Sequence, residues 1–125
     1  MKAIIGLGKY LYAIPMLMFG ANHFMKADMM ADYAPFGGKI MVYVTGVALL
    51  AAGISIIIGK YDKLACVLLA LLLIIIVLSM HLPSVMNAAD EMARMQPMTD
   101  LLKDIGLAGG ALLGAANARD NSVIG

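Results

Sequence analysis

Apolar positions in this chain come in long, almost unbroken runs, not in the alternation of a strand or the narrow stripe of a surface helix. Ile40 to Gly59 carries no charged residue, and neither does Leu64 to Ala89. Each reaches the roughly 20 residues that a helix rising about 1.5 Å per residue needs to cross hydrocarbon. Tyr10 to Met25 is uncharged but shorter, so a first span has to begin near residue 3, with Lys9 turned toward the headgroups. Ile105 to Ala118 is shorter still, so a fourth span must take in the polar turn Thr99-Asp100-Leu101-Leu102-Lys103-Asp104. The pattern predicts an all-α, integral membrane, up-down four-helix bundle. Residues 1–125 form a single transmembrane domain with spans at about 3–24, 39–59, 63–86 and 98–118.

The polar connections set the topology. Lys60-Tyr61-Asp62-Lys63 allows only a tight antiparallel turn, whereas Lys26 to Gly38 is longer and broken by Pro35-Phe36-Gly37-Gly38. Asn87 to Gln96 reads as a short interfacial helix, followed by Pro97 and by Thr99 as cap of the last span. Both termini then share one side with Lys2, Lys9, Lys60, Lys63 and Arg119. Lys26, Lys39, Arg94 and Lys103 occupy the other. Five cations against four place the termini in the cytoplasm. Tyr10, Tyr12 and Tyr61 mark the inner interface; Phe24, Phe36 and Tyr43 mark the outer one. Met1 to Phe24 lacks a small-x-small cleavage site and is read as a retained span, not a signal peptide.

Composition agrees with the pattern. Apolar residues make up 62% and charged residues 14%, with a mean hydropathy of +0.91. Soluble domains are about half apolar and a quarter charged. Membrane lipid is therefore the expected partner. A net charge of +1 without any basic run gives nucleic acid nothing to bind. The lone Cys66 excludes an intrachain disulfide, a CxxC pair and a cysteine-built zinc site. Within its apolar run it reads as a buried, inert thiol.

Without a water-driven core, membrane helices associate through small residues. Gly106, Gly110, Gly114 and Ala118 recur every fourth residue in the last helix, and Ala48, Ala52, Ser55 and Gly59 form a similar stripe in the second. These stripes serve either the bundle itself or a homo-oligomer through Gly106, Gly110 and Gly114.

Chemistry concentrates on the outer side, where the topology gathers Asn22, His23, His81, Ser84, Asn87, Asp100, Lys103 and Asp104. Ionisable groups at membrane depth are costly and point to function. Pro83, two residues past His81, removes a helical donor and opens a polar niche by bending its helix. His23, His81, Asn22 and Asp104 are the candidate ligand-binding residues. A quinone, with a histidine donating to its carbonyl, is one reading. Haem held axially by the two histidines is a second. Cu(I) on Met92-x-x-Met95-x-x-Met98 is a third, and histidines merely hydrogen-bonded at headgroup level are the bland one. No nucleophile with a base and no phosphate loop is visible, so the motifs give no support to a self-contained enzyme.

Three stretches carry a family resemblance: Phe19-Gly20-Ala21-Asn22-His23-Phe24, Val42-Tyr43-Val44-Thr45-Gly46, and Lys103-Asp104-Ile105-Gly106-Leu107-Ala108-Gly109-Gly110. From about Ala3 to Ala118 the chain resembles the DoxX family of small four-span bacterial membrane proteins. The resemblance implies an accessory subunit of a redox or respiratory assembly working with redox partner proteins, since the family includes a subunit of a thiosulfate:quinone oxidoreductase. Many members carry a glutamate soon after the Thr-Gly pair; here Leu49 and Leu50 occupy that region. The alternative is a structural, oligomer-forming membrane protein without a cofactor.

Overall fold

The computed structural model describes residues 1–32, 37–120 and 122, and every element among them is helical. Helix α1 is Lys2–Met25, loosened at Leu7; α2 is the short Ala27–Ala31. Helix α3 is Gly38–Ile58, α4 is Asp62–Met86 and α5 is Glu91–Ala116. By length and composition, α1, α3 and α4 are each able to cross a membrane. Helix α5 is the longest, at 26 residues, but its charged residues set it apart from those three.

The first three spans lie close to where the apolar runs place them. Helix α2 has no counterpart in the hydropathy pattern; it sits in the first long connection, where Lys39 pairs with Asp28 at 2.5 Å. Pro35 and Phe36, expected at the breaker and the outer interface, lie outside the described residues. The last helix corrects the reading more substantially. It begins at Glu91, not near residue 98, and runs on through Pro97. Asp90, in extended backbone, is the cap, its Oδ1 accepting the Ala93 N–H at 2.8 Å. Thr99 instead donates its hydroxyl to the Met95 carbonyl within the helix. Asp90 wins because its carboxylate adds favourable charge at a helix N-terminus, while Pro97 removes only one donor from the ladder.

Packing is tightest where backbones can touch. Helix α1 lies antiparallel on α3 through Gly20, Gly46 and Gly53. A Cβ at Gly53 would fall 2.7 Å from Leu17 Cδ2, and one at Gly20 would fall 3.0 Å from the Gly46 carbonyl. Helix α4 lies antiparallel on α5, where Cys66, Leu69, Ala70 and Leu73 meet Ala108, Ala111 and Ala115. The spacings of three and four residues put these groups on one helical face. A single buried cluster joins all four long helices, and the Tyr12 hydroxyl donates to the Leu107 carbonyl to close α1 against α5.

The small-residue stripes are redistributed. Gly110 lies under the Tyr12 ring and Gly114 under Cys66 Sγ, both inside the bundle, whereas Gly106 has open space beside it. On α3 the buried face is Val42, Gly46, Leu49, Ala52, Gly53 and Ile56; Ala48 is exposed. Gly59 leaves the helix altogether to make the turn.

That turn is tied to the C-terminal segment. Gly59 and Tyr61 both adopt left-handed backbone, with φ of 73° and 57°, a conformation a tyrosine rarely takes unless held. The Tyr61 N–H donates to Asp120 Oδ2 at 2.6 Å. Buried Asp62 answers by accepting the N–H groups of Lys63, Arg119 and Asp120 at 2.9–3.0 Å. Bonds from Ser122 and Tyr61 hold the exposed Asp120 carboxyl below the usual range, so it stays ionised in this clamp at neutral pH. From the clamped end, α3 and α4 separate: their mutual contact is thinner than the α1–α3 or α4–α5 seam.

Two substitutions test this packing. Gly53→Val should cost about 2 kcal/mol by overpacking the α1–α3 seam, whereas Gly106→Ala, which meets nothing within 4 Å, should leave thermal unfolding in detergent unchanged or slightly raised. Asp62→Ala removes an acceptor shared by three N–H groups. It should cost about 2 kcal/mol or more and speed amide exchange at Arg119 and Asp120 ahead of the helices.

Candidate functional site

Pro83 lacks an N–H, so α4 cannot close an ordinary turn onto it. The helix responds just upstream with a π turn over Val77–His81, in which the Leu82 N–H reaches the Val77 carbonyl. One extra residue in a turn rotates the remainder of the helix by about 100°. His81 thereby faces α5, its Nε2 2.8 Å from Asp104 Oδ2. At Pro83 the helix thus widens by a residue.

Asp104 heads the buried face of α5, one turn before Ala108, and is only 5% exposed. A lone carboxylate at such depth would cost several kcal/mol. It is balanced by the Lys103 ammonium, 3.4 Å from Oδ1, which also sits 4.8 Å over the Phe19 ring. His81, Asp104 and Lys103 thus form one local group, with histidine and lysine on opposite carboxylate oxygens. On α1, His23 donates from Nδ1 to the Phe19 carbonyl at 2.6 Å, and its Cβ lies against Gly46, where an added methyl group would come within 2.9 Å.

These groups share one cavity of about 350 Å³, a volume within the usual range for small-molecule sites. Asn22, His23, His81, Lys103 and Asp104 supply polar groups. Phe19, Leu49, Leu72, Leu73 and Ile76 supply apolar wall, while Met41 and Thr45 from α3, Ser79 from α4 and Met30 from α2 complete it. The cavity occupies the wedge left where α3 and α4 separate.

All four candidate residues, Asn22, His23, His81 and Asp104, therefore meet in one place. Ser84, Asn87 and Asp100 do not: Ser84 bonds back to the Met80 carbonyl, Asn87 is exposed and Asp100 accepts from Gln96. The methionine candidates also lie elsewhere. Met92 and Met95 are 83% and 64% exposed on the first turns of α5, and Met98 does not line the cavity. Among the described residues, no three His, Cys, Asp or Glu side chains are grouped to hold a metal ion. The reading from sequence misses Phe19, Met41 and Thr45 as lining residues. Only their spacing could have signalled them, Phe19 one turn before His23, and Thr45 and Met41 one and two turns before Leu49.

Comparison of the chain with protein-family models, curated proteins and solved structures finds no match to any of them. Geometry alone therefore defines the class: an all-α bundle with three membrane-length helices and an amphipathic cavity.

Asp104→Ala would leave His81 and Lys103 without their shared acceptor. It should lower stability by about 3 kcal/mol, read as thermal unfolding in detergent, while Asp100→Ala should stay within about 0.5 kcal/mol of the wild type.

Proposed function

We propose that the chain is a four-span protein of a bacterial inner membrane, DoxX-like in architecture, whose cavity holds a quinone-class ring ligand. It would serve as a non-catalytic subunit of a redox or respiratory assembly. The observation that carries this reading is the cavity itself, with apolar walls and the ionisable groups His23, His81 and Asp104 gathered within it. A ring bearing polar oxygens and an apolar tail suits such a lining.

Membrane placement of α5 is supported by its outer surface. Leu102, Ile105, Leu112 and Leu113 are all more than half exposed there, as are Leu11, Ile54 and Leu71 on the other long helices. At 26 residues, α5 extends about 39 Å, enough to hold Glu91 and Arg94 beyond the hydrocarbon. Lys2, Lys9, Lys60, Lys63 and Arg119 belong to the end with both termini, which is assigned to the cytoplasm.

Among the ligand classes, copper is disfavoured by the exposure of Met92 and Met95. Haem is disfavoured because His81 Nε2 is engaged by Asp104. A second reading, a structural protein that self-associates in the membrane, draws on Gly106 and Gly109, which have open space beside them.

Solvent extraction of the detergent-purified protein should yield a quinone near stoichiometric amounts. His23→Leu combined with His81→Leu should remove it while helicity is retained, since Lys103 still faces Asp104. Retention of quinone by the folded double variant, or its absence from the wild type, would falsify the ligand reading.

A further inference from the structure

The polar groups lining the cavity differ in which partner they can still accept. A carbonyl oxygen has no proton, so the 2.6 Å bond from His23 to the Phe19 carbonyl requires the hydrogen on Nδ1. Neutral His23 then has only a lone pair at Nε2. His81 directs Nε2 at a carboxylate, which places its hydrogen there and leaves a lone pair at Nδ1. Lys103 already neutralises Asp104. A neutral His81 ring beside the Lys103–Asp104 pair leaves the local group balanced in charge.

Two hydroxyls in the lining repeat this polarity. Thr45 donates its hydrogen to the Met41 carbonyl at 2.9 Å, and Ser79 donates to the Ile75 carbonyl at 2.7 Å. Four of the lining groups thus have their hydrogens committed to protein acceptors. The Lys103 ammonium, paired with Asp104 and lying over the Phe19 ring, is the one cationic donor of the lining, and the Asn22 amide serves a donor or an acceptor equally.

Resting on the quinone-class reading above, we infer that the cavity prefers the reduced, hydroxyl-bearing form of its ring ligand, a hydroquinone, over the quinone. A hydroquinone brings two O–H donors to the lone pairs at His23 Nε2, His81 Nδ1 and the Thr45 and Ser79 oxygens. A quinone brings only carbonyl acceptors and leaves the ring nitrogens without a donor. The direction is opposite to a histidine donating to a quinone carbonyl. By linkage, tighter binding of the reduced form raises the reduction potential of the bound couple, by about 30 mV for each tenfold preference in a two-electron pair.

The test uses decyl-para-benzoquinone and its hydroquinone, kept under argon, with binding to the detergent-purified protein measured by equilibrium dialysis. The hydroquinone should bind at least about tenfold more tightly. Equal affinity, or tighter binding of the quinone, overturns the inference and leaves the cavity reading intact. Failure of both forms to bind overturns both. Histidine ring-nitrogen NMR on the ligand-free protein gives an independent readout: the unprotonated nitrogen should be Nε2 in His23 and Nδ1 in His81. The opposite tautomers, or a charged His81 ring, would also overturn it. In Asp104→Asn the new amide can donate to His81 Nε2 and reverse that ring's tautomer. The preference for hydroquinone should then fall about tenfold, and an unchanged preference in the folded variant counts against the inference.

Discussion

Close approach of helix backbones at glycine and alanine is what the arrangement depends on. Gly20, Gly46 and Gly53 let α1 and α3 come so near that an added methyl group would strike a side chain within 3 Å. On the other side, Ala108, Ala111 and Ala115 give α4 the same access to α5. Most large apolar side chains point the other way, outward, where they contribute nothing to holding one helix against the next. Two tight pairs result, joined through the shared cluster and the Tyr12 hydroxyl. Where α3 and α4 face each other with Met41, Thr45, Ile75 and Ser79, there is no small-residue seam to close. The cavity is the space left by that difference.

The same economy governs charge. Only two acidic residues are buried among the described residues, Asp62 and Asp104, one toward each end of the bundle. Each has a distinct set of partners. Asp62 is surrounded by backbone N–H groups and serves the fold, fixing the turn and the C-terminal segment. Asp104 is approached by a lysine and a histidine, and shares a cavity with a second histidine. Side-chain partners have their own protonation and orientation, and backbone amides do not; the two carboxylates therefore differ in what surrounds them, not in depth.

Much of this is legible in the sequence because lipid-length apolar runs leave few choices. Three helices, the tight turn near Tyr61 and the grouping of His23 with His81 and Asp104 follow from run lengths and antiparallel topology. The start of the fourth helix is not legible in the same way, because Pro97 and the polar residues before it resemble a boundary. The Asp90 cap that overrides them is a local bond, invisible to hydropathy. The glycine stripe on α5 is visible as a spacing, but which members face inward depends on rotation of the whole helix, set by Tyr12 and Cys66. The π turn is hidden for a similar reason. Pro83 announces a broken ladder, yet whether the chain kinks or widens by a residue is decided by what His81 can reach.

The clamp at Asp62 also has a mechanical consequence. Because the α3–α4 turn and the C-terminal segment are bolted together, those helices behave as two arms sharing a fixed pivot. A tilt of about 2° at the pivot displaces the far ends by about 1 Å over a length of roughly 30 Å. Small flexing at the stiff end is thus amplified where the arms are apart.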